Sequence, residues 1–282
     1  MGYSIGGLNV GFIEILKVIF LGIVQGITEW LPVSSTGHMI LVEEFLTFSY
    51  SSEFREIFLV VIQFGSILAV VLLFWNKLFP FQFKGGFKVE MEKIQLWLKI
   101  AVACLPAAVI GILFDDIIDE LFFNYQTVAT MLILYGILFI IVENFNKQRR
   151  PRINNLSQIT FKLAMMIGIF QVLAIIPGTS RSGATIVGGI LLGMSRYVAS
   201  EFTFFLAVPV MFGASLLRII RLGLDFTTAE WITLGVGTFT AFIVSIFAIK
   251  FLLSYIKRND FKPFGYYRIL LGIIVFAYFM FM

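Results

Sequence analysis

Residues 25–41, QGITEWLPVSSTGHMIL, place a carboxylate (Glu29), two serines (Ser34, Ser35), a threonine (Thr36) and the only histidine, His38, within otherwise apolar sequence. A second stretch, VLAIIPGTSRSGATIV at 172–187, adds Ser180, Arg181, Ser182 and Thr185. Hydroxyls supply nucleophiles and donors, and a neutral imidazole can accept a hydroxyl proton. A guanidinium is a fixed positive fork matched to phosphate oxygens. The chemistry suggested is that of a phosphate.

The elements holding these residues must lie in a bilayer. Of 282 residues, 59% are hydrophobic and 13% charged, against about 25% charged in soluble domains. A helix needs ~20 apolar residues to cross the hydrocarbon core, and six stretches qualify: 55–76, 95–114, 126–146, 197–220, 230–255 and 264–282. The expected class is an all-α polytopic membrane protein. The opening residues lack a basic n-region and a small-residue cleavage site, so they read as mature sequence. The lone cysteine, Cys104, falls within a span and excludes a disulfide framework. The net charge of +4 gives no reason to expect nucleic acid, because the basic residues sit between spans.

Those residues predict orientation instead. Segment 147–162 carries Lys147, Arg149, Arg150, Arg152 and Lys162 without an acid. Segments 77–99 (Lys77, Lys84, Lys88, Lys93, Lys99) and 257–262 (Lys257, Arg258, Lys262) are also mainly basic. Residues 115–120 hold Asp115, Asp116, Asp119 and Glu120, and 43–56 hold four glutamates against Arg55. The positive-inside rule puts the basic segments in the cytoplasm and both termini outside. Arg218 and Arg221 fall on the wrong side in that scheme.

The halves resemble each other. SEFREIFLVVIQFGSIL (52–68) and SEFTFFLAVPVMFGASLL (200–217) share Ser-Glu-Phe and Phe-Gly at equal spacing. Upstream, Pro32 aligns with Pro177 and Ser35 with Ser180. Each half, 1–146 and 147–282, reads as a polar break followed by three spans. Three is odd, so the second copy is expected to be inverted, within a single membrane domain. Glu53 and Glu201 are expected at the starts of equivalent spans.

Apolar helical segments 12–31 and 157–176 each run to a proline, and the apolar pattern then resumes too briefly for a further span. Two re-entrant helix–loop–helix hairpins follow, since irregular backbone at membrane depth survives only against protein or a wet cavity. A helix restarting there aims unpaired N–H groups and a positive dipole end into the cavity. Gly37, Gly178 and Gly183 allow close backbone approach. Gln25 and Glu29 share one helix face. Their plain alternative is a buried, hydrogen-bonded pair, but intramembrane carboxylates usually face a functional cavity. Gln25 could orient Glu29 or support a hydrated metal, Gln63 could be a supporting donor, and His38 could instead be structural. Arg181 requires an anion or an acid, with Glu29 the evident acid.

QGITEWLPVSSTGH and PGTSRSGAT resemble the two signature motifs of the bacterial undecaprenyl-diphosphate phosphatases, the bacitracin-resistance protein family. The likeness continues through VVIQFGSILAVV, SRYVASEFTFFLAVP and FGYYR. It implies a plasma-membrane hydrolase that converts undecaprenyl diphosphate to undecaprenyl phosphate, recycles the carrier for peptidoglycan synthesis and confers bacitracin resistance. It also implies dependence on a divalent cation, Mg2+ or Ca2+, held by Glu29 with substrate phosphates, and allows a homodimer. Carried across, it makes Glu29, Ser35, His38 and Arg181 catalytic. Gln25, Ser34, Thr36, Gly37, Ser180, Ser182, Gly183 and Thr185 would bind substrate. Gln25 stands where the family accepts Glu or Gln, so a scheme needing two ionised carboxylates is in doubt. Ser35 is expected to attack, His38 to take its proton, and Arg181 with the loop amides to hold the transferring oxygens; His38 as nucleophile is the mechanistic rival. Glu29 would orient His38 or bind the cation. The site should open to the outer face. A transporter or flippase of an anionic prenyl lipid is the rival from another class; it would need Arg181 and the loop amides but not Ser35 with His38.

Overall fold

Hydrocarbon offers no partner for backbone N–H and C=O groups, so a chain this apolar closes its hydrogen bonds within helices. The computed structural model describes residues 11–46, 50–83, 87–223 and 225–281, apart from the side chains of residues 115, 116, 119 and 222. Much of the opening segment, Lys84 and the side chains of three aspartates of the acidic stretch therefore lie outside what is described.

The elements in chain order are α1 (Phe12–Thr28), α2 (Ser35–Phe45), α3 (Ser52–Leu73), α4 (Trp75–Leu78), β1 (Phe81–Gln82), β2 (Lys88–Val89), α5 (Met91–Phe122) and α6 (Tyr125–Asn146). Then come α7 (Phe161–Val172), α8 (Arg181–Leu191), α9 (Arg196–Leu222), α10 (Thr228–Tyr255) and α11 (Lys262–Phe281). Six helices among the described residues are long and apolar enough to cross a membrane: α3, the Met91–Phe114 part of α5, α6, α9, α10 and α11. The chain is an all-α polytopic membrane protein. Among the described residues the one sheet is the short antiparallel ribbon β1–β2, with Phe81 opposite Val89.

The remaining helices build two hairpins. The 11-residue helices α2 and α8 are each about 16 Å long, roughly half the hydrocarbon thickness. Helix α1 packs on its return helix α2 and on α10, while α7 packs on α8 and on α5. Exchanging the halves therefore reproduces these contacts. Equivalent long helices also cross antiparallel. Glu56, early in α3, pairs with Arg218, late in α9, and Lys77, beyond the end of α3, reaches Glu201 near the start of α9 at 2.6 Å. In α6 and α11, Gly136 meets Gly265 while Ala129 meets Gly272.

Four expectations need correction. Helices α1 and α7 do not run to the prolines: α1 stops at Thr28, and α7 tightens after Val172 into a 3-10 turn over Leu173–Ile175. Proline bars the helical region to its predecessor, and the chain needs several residues to turn. Glu201 does not start a span, because α9 begins at Arg196 under a Ser195 cap. Residues 115–120 continue α5 rather than forming a loop.

The copies align one residue away from the Pro32–Pro177 register. Ser34 and Ser180 are the N-caps of α2 and α8, each accepting from the amide three residues on, Gly37 at 3.3 Å and Gly183 at 3.2 Å. They share φ of 73° and 71°, and they are the only non-glycine residues with positive φ among those described. The same register superimposes Gly22-Ile23-Val24-Gln25 on Gly168-Ile169-Phe170-Gln171. Ser34, not Ser35, is thus equivalent to Ser180. Ser35 is equivalent to Arg181, and Glu29 to Ile175.

A Cβ at Gly136 would lie 2.7 Å from the Gly265 carbonyl oxygen. Gly136→Val is expected to push α6 from α11 and cost about 1–3 kcal/mol, lowering the thermal midpoint in mild detergent. Gly235→Ala, where a Cβ meets nothing within 4 Å, should leave that midpoint unchanged or raise it.

Candidate active site

Glu29 emerges where α1 ends and is nearly buried, its side chain 10% exposed. Three groups hold its carboxylate. Gln25, one turn earlier, donates from Nε2 to Oε2 at 3.0 Å, and the Ser35 hydroxyl donates to the same oxygen at 3.2 Å. Arg181 donates from Nη2 to Oε1 at 3.0 Å. The two residues that open the return helices, Ser35 on α2 and Arg181 on α8, therefore meet on one carboxylate.

Arg181 is fixed on its other sides. Its Nη1 donates to the Thr203 carbonyl at 3.1 Å, and its guanidinium carbon lies 5.9 Å from the centre of the Trp30 ring. Thr185 donates to the Arg181 carbonyl at 2.8 Å and accepts from Thr203, which locks α8 to α9. Ser182 donates to the Glu29 carbonyl at 3.4 Å. In the second loop, Gly178 has φ +90°, and a Cβ there would be 2.5 Å from the Val128 carbonyl oxygen, so only glycine fits.

The resulting cavity has a volume of about 190 Å³, room for a phosphate head group and not for a long lipid chain. Of the residues singled out in the sequence, Glu29, Ser34, Ser35, Thr36, Ser180, Arg181 and Ser182 line it, as does Gln63. Gln25, Gly37, His38, Gly183 and Thr185 stand behind or beside it. The expected Ser35–His38 contact is absent. The His38 ring folds back along α2, Nδ1 lying 2.7 Å from the Ser34 carbonyl. A carbonyl only accepts, so Nδ1 carries the proton. Nε2 then accepts from the Tyr267 hydroxyl at 2.7 Å, with the two rings stacked. The acceptor within reach of the Ser35 hydroxyl is Glu29.

The sequence reading missed Arg268, at 0% exposure in α11. Its guanidinium donates to the Gly178 and Thr179 carbonyls at 2.9 Å and to that of Pro32 at 3.3 Å. It thereby ties both loops together. The available signal was a cation within FGYYR, near the start of the last apolar stretch.

A groove of about 450 Å³ adjoins the head-group cavity and shares Arg181 and Ala174 with it. It runs among α5, α7 and α9, and its wall is mostly apolar, with Ala107, Ala108, Ile175 and Val210 among its members. A further cavity, about 720 Å³, lies at span ends, ringed by Arg149, Arg150, Arg152 and Lys257. Its one carboxylate among the described lining residues, Glu143, is taken by Arg196 and the Phe261 amide.

No group of three or more His, Cys, Asp or Glu side chains that could hold a metal occurs among the described residues. The head-group cavity offers one carboxylate and several hydroxyl oxygens. That all-oxygen set fits a hard, largely hydrated cation only when a phosphate ligand supplies further oxygens.

Together these features define a class, a polytopic membrane protein whose hydroxyl–carboxylate–guanidinium cluster sits at two facing helix breaks beside an apolar groove. Residues 18–274 match the family model described as Bacitracin resistance protein BacA, and the chain belongs to that family. It is 64% identical to the undecaprenyl-diphosphatase of Desulfitobacterium hafniense over 268 residues, 95% of this chain and 96% of the relative. Identity is 60% with an Enterococcus faecalis undecaprenyl-diphosphatase over 94% of this chain and 96% of the relative. With that of Limosilactobacillus fermentum it is 49%, over 95% and 98%.

Arg268→Leu leaves at least three loop carbonyls without their donor, each costing about 1–3 kcal/mol when buried. The thermal midpoint in detergent is expected to fall further for Arg268→Leu than for Arg181→Ala. An equal or smaller fall would remove Arg268 as the tie between the loops.

Proposed function

We propose that this protein is an undecaprenyl-diphosphate phosphatase that releases inorganic phosphate and returns undecaprenyl phosphate to cell-wall synthesis, with bacitracin resistance as a consequence. The observation that carries the reading is the Ser35 hydroxyl donating to Glu29 at 3.2 Å while Arg181 stands on the opposite oxygen.

In this reading the terminal phosphate enters the small cavity and the prenyl chain lies along the apolar groove. Ser35 Oγ attacks the terminal phosphorus and Glu29 takes its proton. An Oγ–P bond forms, the bridging P–O bond breaks, and undecaprenyl phosphate leaves with that oxygen's electron pair. Water then hydrolyses the phosphoserine. Arg181 turns from Glu29 to the phosphate oxygens, where the first-turn amides of α2 and α8 add donors. Phosphoryl transfer depends mainly on such positioning and charge neutralisation. A divalent cation, Mg2+ or Ca2+, bound through Glu29 and the diphosphate, would supply neutralising charge. His38 positions Ser34 through its carbonyl in this scheme.

We further read 1–146 and 147–282 as inverted copies, with the basic segments cytoplasmic, both termini outside and the head-group cavity open to the outer face. The antiparallel crossings of α3 on α9 and α6 on α11 support the inversion.

The test is phosphate release from undecaprenyl diphosphate by purified protein, with and without chelator. Ser35→Ala and Glu29→Gln should each lose about 10²–10⁴-fold in turnover, Arg181→Ala should be as damaged, and chelation should abolish release. Tyr267→Phe separates the proton acceptors. With Glu29 as base its pH–rate profile stays at the wild-type position; with His38 as base, freeing Nε2 shifts the profile. Wild-type protein that binds the lipid without releasing phosphate would favour a carrier.

A further inference from the structure

Gln171 lies on α7 at 2% exposure, and neither its Nε2 nor its Oε1 has a hydrogen-bond partner. Leaving a buried amide unpaired is expensive, and such a group calls for a reason. The inverted copy supplies one. Gln25 is its equivalent, and the Gln25 amide is satisfied by Glu29 one turn on. In the second copy the position one turn on is Ile175, which accepts nothing. The partner has been replaced while the amide remains.

The amide atoms are themselves buried, but the residue belongs to the wall of a cavity. Gln171 lines the apolar groove together with Arg181 and Ile175. It is thus a neutral polar group on an apolar wall, beside the guanidinium shared with the head-group cavity. A prenyl chain alone has nothing to offer an amide. A phosphate joined to that chain does, because it sits at the boundary between head-group cavity and groove.

We propose that Gln171 is a substrate-binding residue whose Nε2 donates to the prenyl-linked phosphate, the one retained in the product, as the chain enters the groove. This rests on the phosphatase reading for the substrate's identity but concerns a separate contact, one the product makes as well. The terminal phosphate belongs to Ser35 and Arg181, and the inner phosphate to Gln171. Holding the inner phosphate sets the bridging oxygen between the two halves and favours a lipid diphosphate over a free one.

The experiment uses the full chain in detergent with undecaprenyl phosphate as the probe, bound in the absence of turnover and followed by native mass spectrometry. Wild type is compared with Gln171→Leu and Gln171→Glu, and thermal midpoints and steady-state hydrolysis of undecaprenyl diphosphate are recorded alongside. Losing a donor to a charged phosphate should weaken product binding roughly tenfold to a hundredfold in Gln171→Leu and raise KM more than it lowers kcat. The thermal midpoint should hold or rise, since an apolar isostere removes an unpaired buried amide. Gln171→Glu, carrying like charge, should bind more weakly still. Unchanged binding in Gln171→Leu would overturn the proposal, as would a lowered midpoint with binding intact, the mark of a packing residue. Wild-type protein that binds the product through Gln171 but hydrolyses nothing would sink the phosphatase and leave the subsite standing.

Discussion

The carboxylate of Glu29 is the group the rest of the structure is arranged to satisfy. A carboxylate at membrane depth is tolerated only when paired and hydrogen-bonded. Its three partners come from three places: Gln25 on its own helix, Ser35 on the return helix, and Arg181 on the return helix of the other half. To bring the last two within 3.2 Å of one side chain, both hairpins must break at matching depth and point their restarting helices inward. The positive-φ caps at Ser34 and Ser180, the close approach at Gly178 and the Arg268 clamp on both loops all follow from that one requirement.

The clamp also shows how a second buried charge is handled without an acid. Arg268 is fully buried and surrounded by backbone carbonyls. Loop carbonyls at helix breaks lack the partners a continuous helix would give them, so a guanidinium with five donors repairs several at once. The cation and the broken helices need each other. An ion pair there would satisfy Arg268 and leave the loops open, whereas carbonyl ligation makes the loops' shape a condition of the charge being buried at all.

Hydrophobic runs announce their length, so the six spans were legible in the sequence, and two proline-bounded polar breaks announced the hairpins. Local spacing likewise put Gln25 on Glu29, one turn apart. What escaped depends on contacts far apart in the chain. His38 was read toward Ser35, three residues away, but its ring is captured by Tyr267, 229 residues distant. Glu201 was read as a first-turn acid because Glu53 is one, yet its partner is Lys77 across the molecule. Aligning the breaks on their prolines gives a register one residue from the true one. The caps are the true fixed points, since backbone geometry rather than residue identity defines where a helix restarts. Arg268 sat in plain view as a charge inside a span, but only the folded loops reveal what it holds.

The corrected register sets unlike residues at matching positions of the two hairpins. With Ser35 equivalent to Arg181 and Glu29 to Ile175, the copies keep one backbone and divide the chemistry between them. One opens its return helix with a hydroxyl, the other with a guanidinium, and one acid lies between them. A symmetric pair of acids would set two carboxylates against each other at low dielectric, where like charges disfavour a shared ionised state. A symmetric pair of arginines would leave no hydroxyl to donate to the acid. Unlike residues at matching positions remove both problems, because the two facing hairpins bring together groups that neither could assemble alone. Gln25 and Gln171 occupy matching positions of the two hairpins: Gln25 donates to Glu29, while Gln171, among the residues lining the groove, has no hydrogen-bond partner for its amide. The two facing hairpins set the geometry, and the residues at their matching positions determine which half holds the acid and which the guanidinium.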